Sequence, residues 1–487
     1  MAAASGTKAN KFGVVDIFSG CGGLSLGFWW AGFKILAAVE SDSDAAATHH
    51  ANFAGAGEPE QKHHRDILEL DPEDLLEDEL KGKRPSVLVG GPPCQAFARI
   101  GRAKLREVAG ANGSSTATRA HLDDPRASLS LRYLAYVRAL KPKALLLENV
   151  PDILNHGGNN VAESICAELD DLGYEARYTL LNAINFGVPQ FRERMFLVAY
   201  RRDAGLVIPH KDDWWPAHTY AAKLPKGYRG TRGVASKIAE SSPHFDRPPI
   251  KDEDQLPWDS RTQDLPEAIT AQAAFSGLPR LDARTRGRGR RDLRPTADDP
   301  DWTAASSEYG QKMRALSTPV DGEAERVTAH VTRHLPRDFE IFGLMSPGQD
   351  FVGNRSGQNS LSVPAIARSL DRVVPYDESK FPNKWWKMRS NHPSRTLTAH
   401  MGKDTYSHIH YSQARTISVR EAARLQSFPD SFRFECSMNS GFRMIGNAVP
   451  PLMAQALASK ILTVLKSGRR RKQATKRKPS RTTTSSA

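Results

Sequence analysis

Short apolar runs, each stopped by a glycine, proline or acidic cluster, constrain this chain more than any other feature. Phe12-Gly13-Val14-Val15-Asp16-Ile17-Phe18 runs into Ser19-Gly20-Cys21-Gly22-Gly23. Ile35 to Val39 stops at Glu40, Val87-Leu88-Val89 at Gly90-Gly91-Pro92-Pro93-Cys94, and Ala144 to Leu147 at Glu148-Asn149-Val150. Met195 to Ala199 is a further run of this kind. Runs this short suit strands buried on both faces. Between them lie stretches with helical periodicity, Leu24 to Trp30, Leu129 to Leu140 and Val161 to Leu172. The alternation predicts an α/β fold, doubly wound, with a mostly parallel sheet and helices on both faces.

The texture changes after about residue 201. Prolines, tryptophans and polar stretches dominate 202–390, and Arg284 to Arg294 packs six arginines among two glycines and one acid, as an exposed loop does. Helical pattern returns at Ser418 to Gln426 and at Leu452 to Leu465. The expected layout is a loose arm (1–11), an α/β domain (12–201), an irregular second domain (202–390), a returning segment (391–465) and a basic disordered tail (466–487).

Charge follows the same division. The net charge is +13, yet nine basic residues and no acid lie between Lys466 and Arg481, which leaves +4 for the rest. A mildly basic body with a basic tail suits a polyanionic partner. Cys21, Cys94, Cys166 and Cys436 are far apart and form no CxxC pair, which argues against a disulfide framework or a cysteine zinc site. The pairs His49-His50 and His63-His64 match no zinc spacing and read as surface residues. The apolar runs fall short of the roughly 18 residues a membrane span needs, so a soluble, reducing compartment is expected.

Four places carry candidate chemistry. The glycine turn after Asp16 and Phe18, with Gly20, Gly22 and Gly23, follows a strand and opens a helix, where backbone approaches a ligand closely. Glu40 ends the next strand, where an acid holds ribose hydroxyls, and Asp66-Ile67 suits the edge and face of an adenine ring. The same turn also serves any α/β fold. Its glycine spacing departs from the GxGxxG pyrophosphate loop and favours a nucleoside without phosphates, such as S-adenosyl-L-methionine, over NAD. Cys94 sits at a strand's carboxyl end behind two stiffening prolines, although a lone cysteine is usually a small buried hydrophobe. Glu148 at another strand end is a candidate proton donor to a ring nitrogen, or a salt-bridged surface acid. Gln190-x-Arg192-x-Arg194 places two arginines on one strand face, to meet a phosphate or base oxygen or to line a solvated edge.

In this order the motifs resemble those of the cytosine-5 DNA methyltransferases. Asp16 to Gly23 is similar to that family's methionine-binding motif, with Glu40, Asp66 and Ile67 where it holds ribose and adenine. Pro93-Cys94-Gln95 resembles its nucleophile motif, Glu148-Asn149-Val150 its acid motif and Gln190 to Arg194 its arginine motif. Arg395-Thr396-Leu397-Thr398 and Arg420 to Gln426 resemble its ninth motif and the following helix, and Gly446-Asn447-Ala448-Val449-Pro450-Pro451 the last motif, which closes the cofactor pocket. A cysteine after the prolines separates the chain from amino-methyltransferases. Ala98 departs from the family's usual serine, and the loop from Gln95 to Asp123 is long.

The resemblance implies a Rossmann-like methyltransferase fold. Cys94 would attack, Glu148 and Arg192 or Arg194 would hold the base, and Pro92, Asn447 and Val449 would border the cofactor, S-adenosyl-L-methionine. It implies double-stranded DNA as substrate, its sequence recognised by 202–390, with the target base leaving the stack for the chemistry. Action as a monomer beside a cognate restriction endonuclease, in a bacterial cytoplasm or, for a eukaryotic host, a nucleus, completes the expectation. An RNA (tRNA) cytosine-5 methyltransferase shares the motif set, and a catalytically silent DNA-binding regulator is the alternative outside enzymes.

Overall fold

The computed structural model describes residues 12–54, 65–93, 125–155, 159–220, 242–246, 265–281, 292–293, 304–320, 328–333, 335–352, 361–372, 374 and 384–476. Six strands form one sheet: β1 (Gly13–Ile17), β2 (Lys34–Val39), β3 (Val87–Gly90), β4 (Ala144–Asn149), β5 (Tyr174–Asn182) and β6 (Glu193–Arg201). Their spatial order is β2-β1-β3-β4-β6-β5. The first four run parallel, while β6 lies antiparallel to both β4 and β5.

Every residue of β1 and β4 is buried, because both sheet faces are covered. Alternate side chains feed two separate cores. Val14, Val87, Val89 and Leu146 enter one, and Val15, Ile17, Leu88, Leu145 and Leu147 enter the other. The outer strand β5 is not left open. Tyr178 N donates to His244 O at 3.0 Å and Asp246 N to Tyr178 O at 2.9 Å, so residues 244–246 cover its free edge.

Helices α1 (Gly23–Trp30), α2 (Ser43–Phe53), α3 (Pro125–Leu140) and α4 (Val161–Asp171) join these strands. The chain later returns as α5 (Val419–Leu425), α6 (Met438–Asn447) and α7 (Pro451–Lys476). Ser418 and Glu421 form a reciprocal capping box that starts α5. Helix α7 lies against α1, where the absent Cβ of Gly27 admits Ala454; a Cβ there would stand 2.4 Å from the Ala454 methyl. The stretch Met438–Gly468 is long and apolar enough to cross a membrane by composition, but its most apolar 18-residue window is 67% buried in the fold. Its Leu457, Ile461 and Leu465 belong to the first core.

The second region has a small core, in which Phe342, Phe351, Val363, Ile366 and Trp385 pack with Tyr406 of the returning segment. Its described elements are short, such as the helices Glu308–Ala315 and Val363–Ser369.

Three expectations are corrected. The C-terminal helix continues to Lys476, eleven residues into the stretch read as disordered, because Lys, Arg, Gln and Ala extend a helix already nucleated by packing. His49 is fully buried while His50 is exposed, since α2 turns one histidine inward and its neighbour outward. His63 and His64 lie outside the described residues. The strand expected over Met195 to Ala199 is longer, reaching Glu193–Arg201, and pairs with β5, which the sequence reading did not single out.

Candidate functional site

The carboxyl ends of β1, β2, β3 and β4 meet in one place, where open α/β sheets bind ligands. At the end of β1 the chain takes three left-handed steps, at Phe18 (φ 59°), Gly20 (φ 55°) and Gly22 (φ 99°). The strain at non-glycine Phe18 is tolerated inside a tightly bonded turn. Gly20 N donates to Glu40 Oε2 at 2.8 Å, and Asp42 N donates to Glu40 Oε1 at 2.8 Å. Glu40 therefore ties the glycine turn to the start of α2. Gly23 must be glycine, because a Cβ there would stand 2.2 Å from Val449 O. That approach brings the last motif onto the first, with Val449 buried and Asn447 exposed at the end of α6.

Asp16 is fully buried beneath the turn. Its Oδ2 accepts from Ser25 N at 3.1 Å and Ser25 Oγ at 2.7 Å. Among the described residues, Oδ1 meets no donor, and neither does the buried Ser19 Oγ. Burial pushes the Asp16 carboxyl up to about 7, with the Ser25 bonds opposing and Glu40 adding to the rise. Glu40 is also raised, chiefly by burial. A fully buried carboxyl beside a half-buried one repels a phosphate and favours a cation or hydrogen-bond donors. A Cβ on Gly20 would meet nothing within 4 Å, so the turn leaves room for a ligand.

Arg65 N donates to Glu40 O at 2.7 Å, which carries Asp66 and Ile67 to the same rim. Ile67 is buried and Asp66 exposed, its Oδ1 accepting from Leu68 N at 2.9 Å. The structure thus brings Asp16, Phe18, Gly20, Gly22, Gly23, Glu40, Asp66, Ile67 and Val449 around one turn.

A second group stands at the ends of β3 and β4. Glu148 is nearly buried, and Arg194 Nε lies 3.1 Å from its Oε1. Burial raises the Glu148 carboxyl, and Arg194 and then Arg192 oppose the rise. Gly91 allows the chain to pass close by, since a Cβ there would stand 3.0 Å from Glu148 Oε2. Asn149 Nδ2 donates to Pro92 O at 2.7 Å and fixes the same segment. Cys94 and Ala98, which follow it, lie outside the described residues.

The arginine motif does not present one open face. Arg192 is 1% exposed and donates to Leu397 O at 2.8 Å and Gly446 O at 2.9 Å. Gln190 is equally interior, accepting from Leu397 N at 2.8 Å. Both residues fasten the segment that leads into β6 to the ninth and last motifs, and only Arg194 of the three reaches Glu148. The helix after the ninth motif is anchored by fully buried ion pairs, Arg424 with Asp430 and Arg415 with Glu421. Sequence reasoning missed these as interior groups, because arginine is rarely buried unless paired; the only signal was its recurrence on the α5 face.

Among known proteins, the family model described as C-5 cytosine-specific DNA methylase matches residues 12–463. The protein M.OihORF3336P of Oceanobacillus iheyensis is 36% identical over 462 residues, covering 91% of this chain and 94% of its own. The type II methyltransferase M.AgeI of Thalassovita gelatinovora is 30% identical over 481 residues, covering 92% and 98%. A prophage-encoded E. coli protein of known crystal structure shares the fold, with a TM-score of 0.57 at 22% identity over 94% of this chain and all of its own.

Proposed function

The chain belongs to the C-5 cytosine-specific DNA methylase family, and from that premise we propose how its residues divide the work. It is a DNA (cytosine-5)-methyltransferase with relatives of the type II restriction-modification class. S-adenosyl-L-methionine is the donor that suits the first site. Its cationic ammonium fits the buried Asp16 carboxyl with its unmet oxygen, and the two neighbouring carboxyls, Asp16 and Glu40, would repel a pyrophosphate. Asp16, Phe18, Gly20, Gly22 and Gly23 would hold its methionyl part, Glu40 its ribose, and Asp66 with Ile67 its adenine. Pro92, Asn447 and Val449 would close the rim. When bound, the donor supplies an electrophilic methyl group.

Cytosine C5 is a weak nucleophile. A thiolate that adds to C6 moves electron density onto C5. Cys94 is assigned that thiolate. Glu148 is suited to the opposite edge of the base. Burial favours its neutral form, which donates a proton toward N3 as charge builds on the ring, while its other oxygen accepts from the exocyclic amine. Arg194 orients Glu148 and would contact the base oxygen. Once C5 carries the methyl group, its proton leaves to a base and Cys94 departs as thiolate, which restores the aromatic ring. Arg192 acts as a brace between motifs. Region 202–390 would select the DNA sequence, with a partner endonuclease cutting the unmodified site.

The observation that carries this reading is the Glu148–Arg194 pair beside Gly91, on the segment that leads into Cys94. Bisulfite sequencing of DNA from cells expressing the chain tests it. Protected cytosines should recur within one short sequence and vanish with Cys94→Ser. Complete conversion in wild-type cells, or protection that survives Cys94→Ser, overturns the assignment.

A further inference from the structure

The buried His49 has no part in the roles assigned so far, yet it reaches the donor site through one hydroxyl. Its Nε2 lies 3.0 Å from Ser25 Oγ, which in turn donates to Asp16 Oδ2 at 2.7 Å. All three side chains are fully buried. The proton count sets the direction of this chain. Ser25 has one hydroxyl proton, and Asp16 takes it. At Ser25 Oγ the imidazole must then be the donor, so Nε2 carries hydrogen. The sequence His49 Nε2–H to Ser25 O–H to Asp16 is polarised throughout toward the carboxylate.

The surrounding fold holds His49 in that pose. Its helix α2 is clamped by two neighbours on the inward face: Asn52 Nδ2 donates to Arg433 O at 2.8 Å, and Glu435 N donates to Thr48 Oγ1 at 3.1 Å. The ring stacks on Phe53 at 4.3 Å between centroids. Gly22 makes room above it, since a Cβ there would stand 3.0 Å from His49 Cδ2 and 2.6 Å from Phe53.

Two bonds from Ser25 fix Oδ2, so the Asp16 carboxylate cannot rotate, and Oδ1 is the oxygen that meets no donor among the described residues. We infer that His49 is a positioning residue for the methyl donor: through Ser25 it orients the Asp16 carboxylate so that Oδ1 receives the ammonium of the donor's amino-acid part. The inference rests on S-adenosyl-L-methionine being the donor. It gives α2 a part in ligand binding that no contact of α2 with the ligand would reveal.

Calorimetric titration of the full chain with two nucleosides separates this role from mere packing. S-adenosyl-L-homocysteine carries the ammonium, and methylthioadenosine lacks it. His49→Phe, which removes the donor but keeps a ring, should weaken S-adenosyl-L-homocysteine about tenfold, in line with a lost bond feeding a charged group. Methylthioadenosine affinity should stay unchanged. Ser25→Ala should give the same split, and His49→Gln, which restores an N–H at similar reach, should bind within about twofold of wild type. Equal losses for both nucleosides, no loss in His49→Phe or Ser25→Ala, or a His49→Gln as weak as His49→Phe would each overturn the inference. Should His49→Phe fail to fold, the Ser25→Ala and His49→Gln pair decides it. A wild-type chain that binds neither nucleoside overturns the donor reading itself, and this inference with it.

Discussion

Arg192 and Arg194 sit two residues apart and should fail in opposite ways. Arg192→Ala removes the donors to Leu397 O and Gly446 O, both at interior positions. Each buried carbonyl left unmet costs about 1–3 kcal/mol. The guanidinium is itself buried, which pushes its pKa well down, so its removal recovers part of that cost. A net loss of about 2–4 kcal/mol remains. Arg194→Ala breaks a pair at the rim of the site, where each side chain keeps about a tenth of its surface exposed. Its effect on stability should be smaller, about 1–2 kcal/mol, because burial already favours the neutral Glu148 left behind, and its effect on turnover large, because Glu148 loses its orienting partner. Urea unfolding followed by fluorescence reads the first quantity, and single-turnover methyl transfer to duplex DNA the second. A stable Arg192→Ala protein, or an Arg194→Ala protein that turns over normally, would refute this division of labour.

Two further outcomes follow from buried charge. The folded Asp16 carboxyl is held near 7 against its usual 3.8, so the ligand-free native state keeps a proton that the unfolded chain has lost between those values. Its stabilising contribution is full below about pH 4 and fades as pH rises to about 7; Asp16→Asn should flatten that slope in melting temperatures, and parallel curves would show the idea wrong. Arg424→Ala strands Asp430 as a buried charge, with Arg314, 4.0 Å away, and the nearby Arg420 in partial compensation. A loss of about 3–5 kcal/mol should appear in the urea midpoint, and a shift below about 1 kcal/mol would mean the pair is not structural.

The strand–turn–helix from Gly13 to Trp30 is legible in the sequence because one run of residues states it twice, in apolar pattern and in glycine spacing. Glu148 is legible for a similar reason, as an acid that stops a continuous apolar strand. What stayed hidden was polar burial. His49 looked like half of a surface pair, because a helix separates adjacent residues by about 100° and nothing local says which faces inward. Arg192 looked like a contact for substrate, because its two acceptors lie 205 and 254 residues further along the chain. Strand β5 escaped because its covering segment, 244–246, comes from a region with no readable periodicity.

The seat of Gly23 against Val449, and of Gly27 against Ala454, has a consequence for synthesis. The pocket proposed for the donor would be walled by the first helix and by the turn that opens the last. A nascent chain on the ribosome therefore owns the glycine turn early but cannot finish the pocket until some four hundred residues later. Catalytic competence arrives late and all at once, when the final helix emerges and docks, so a prematurely stopped product cannot methylate while its missing end is still unmade.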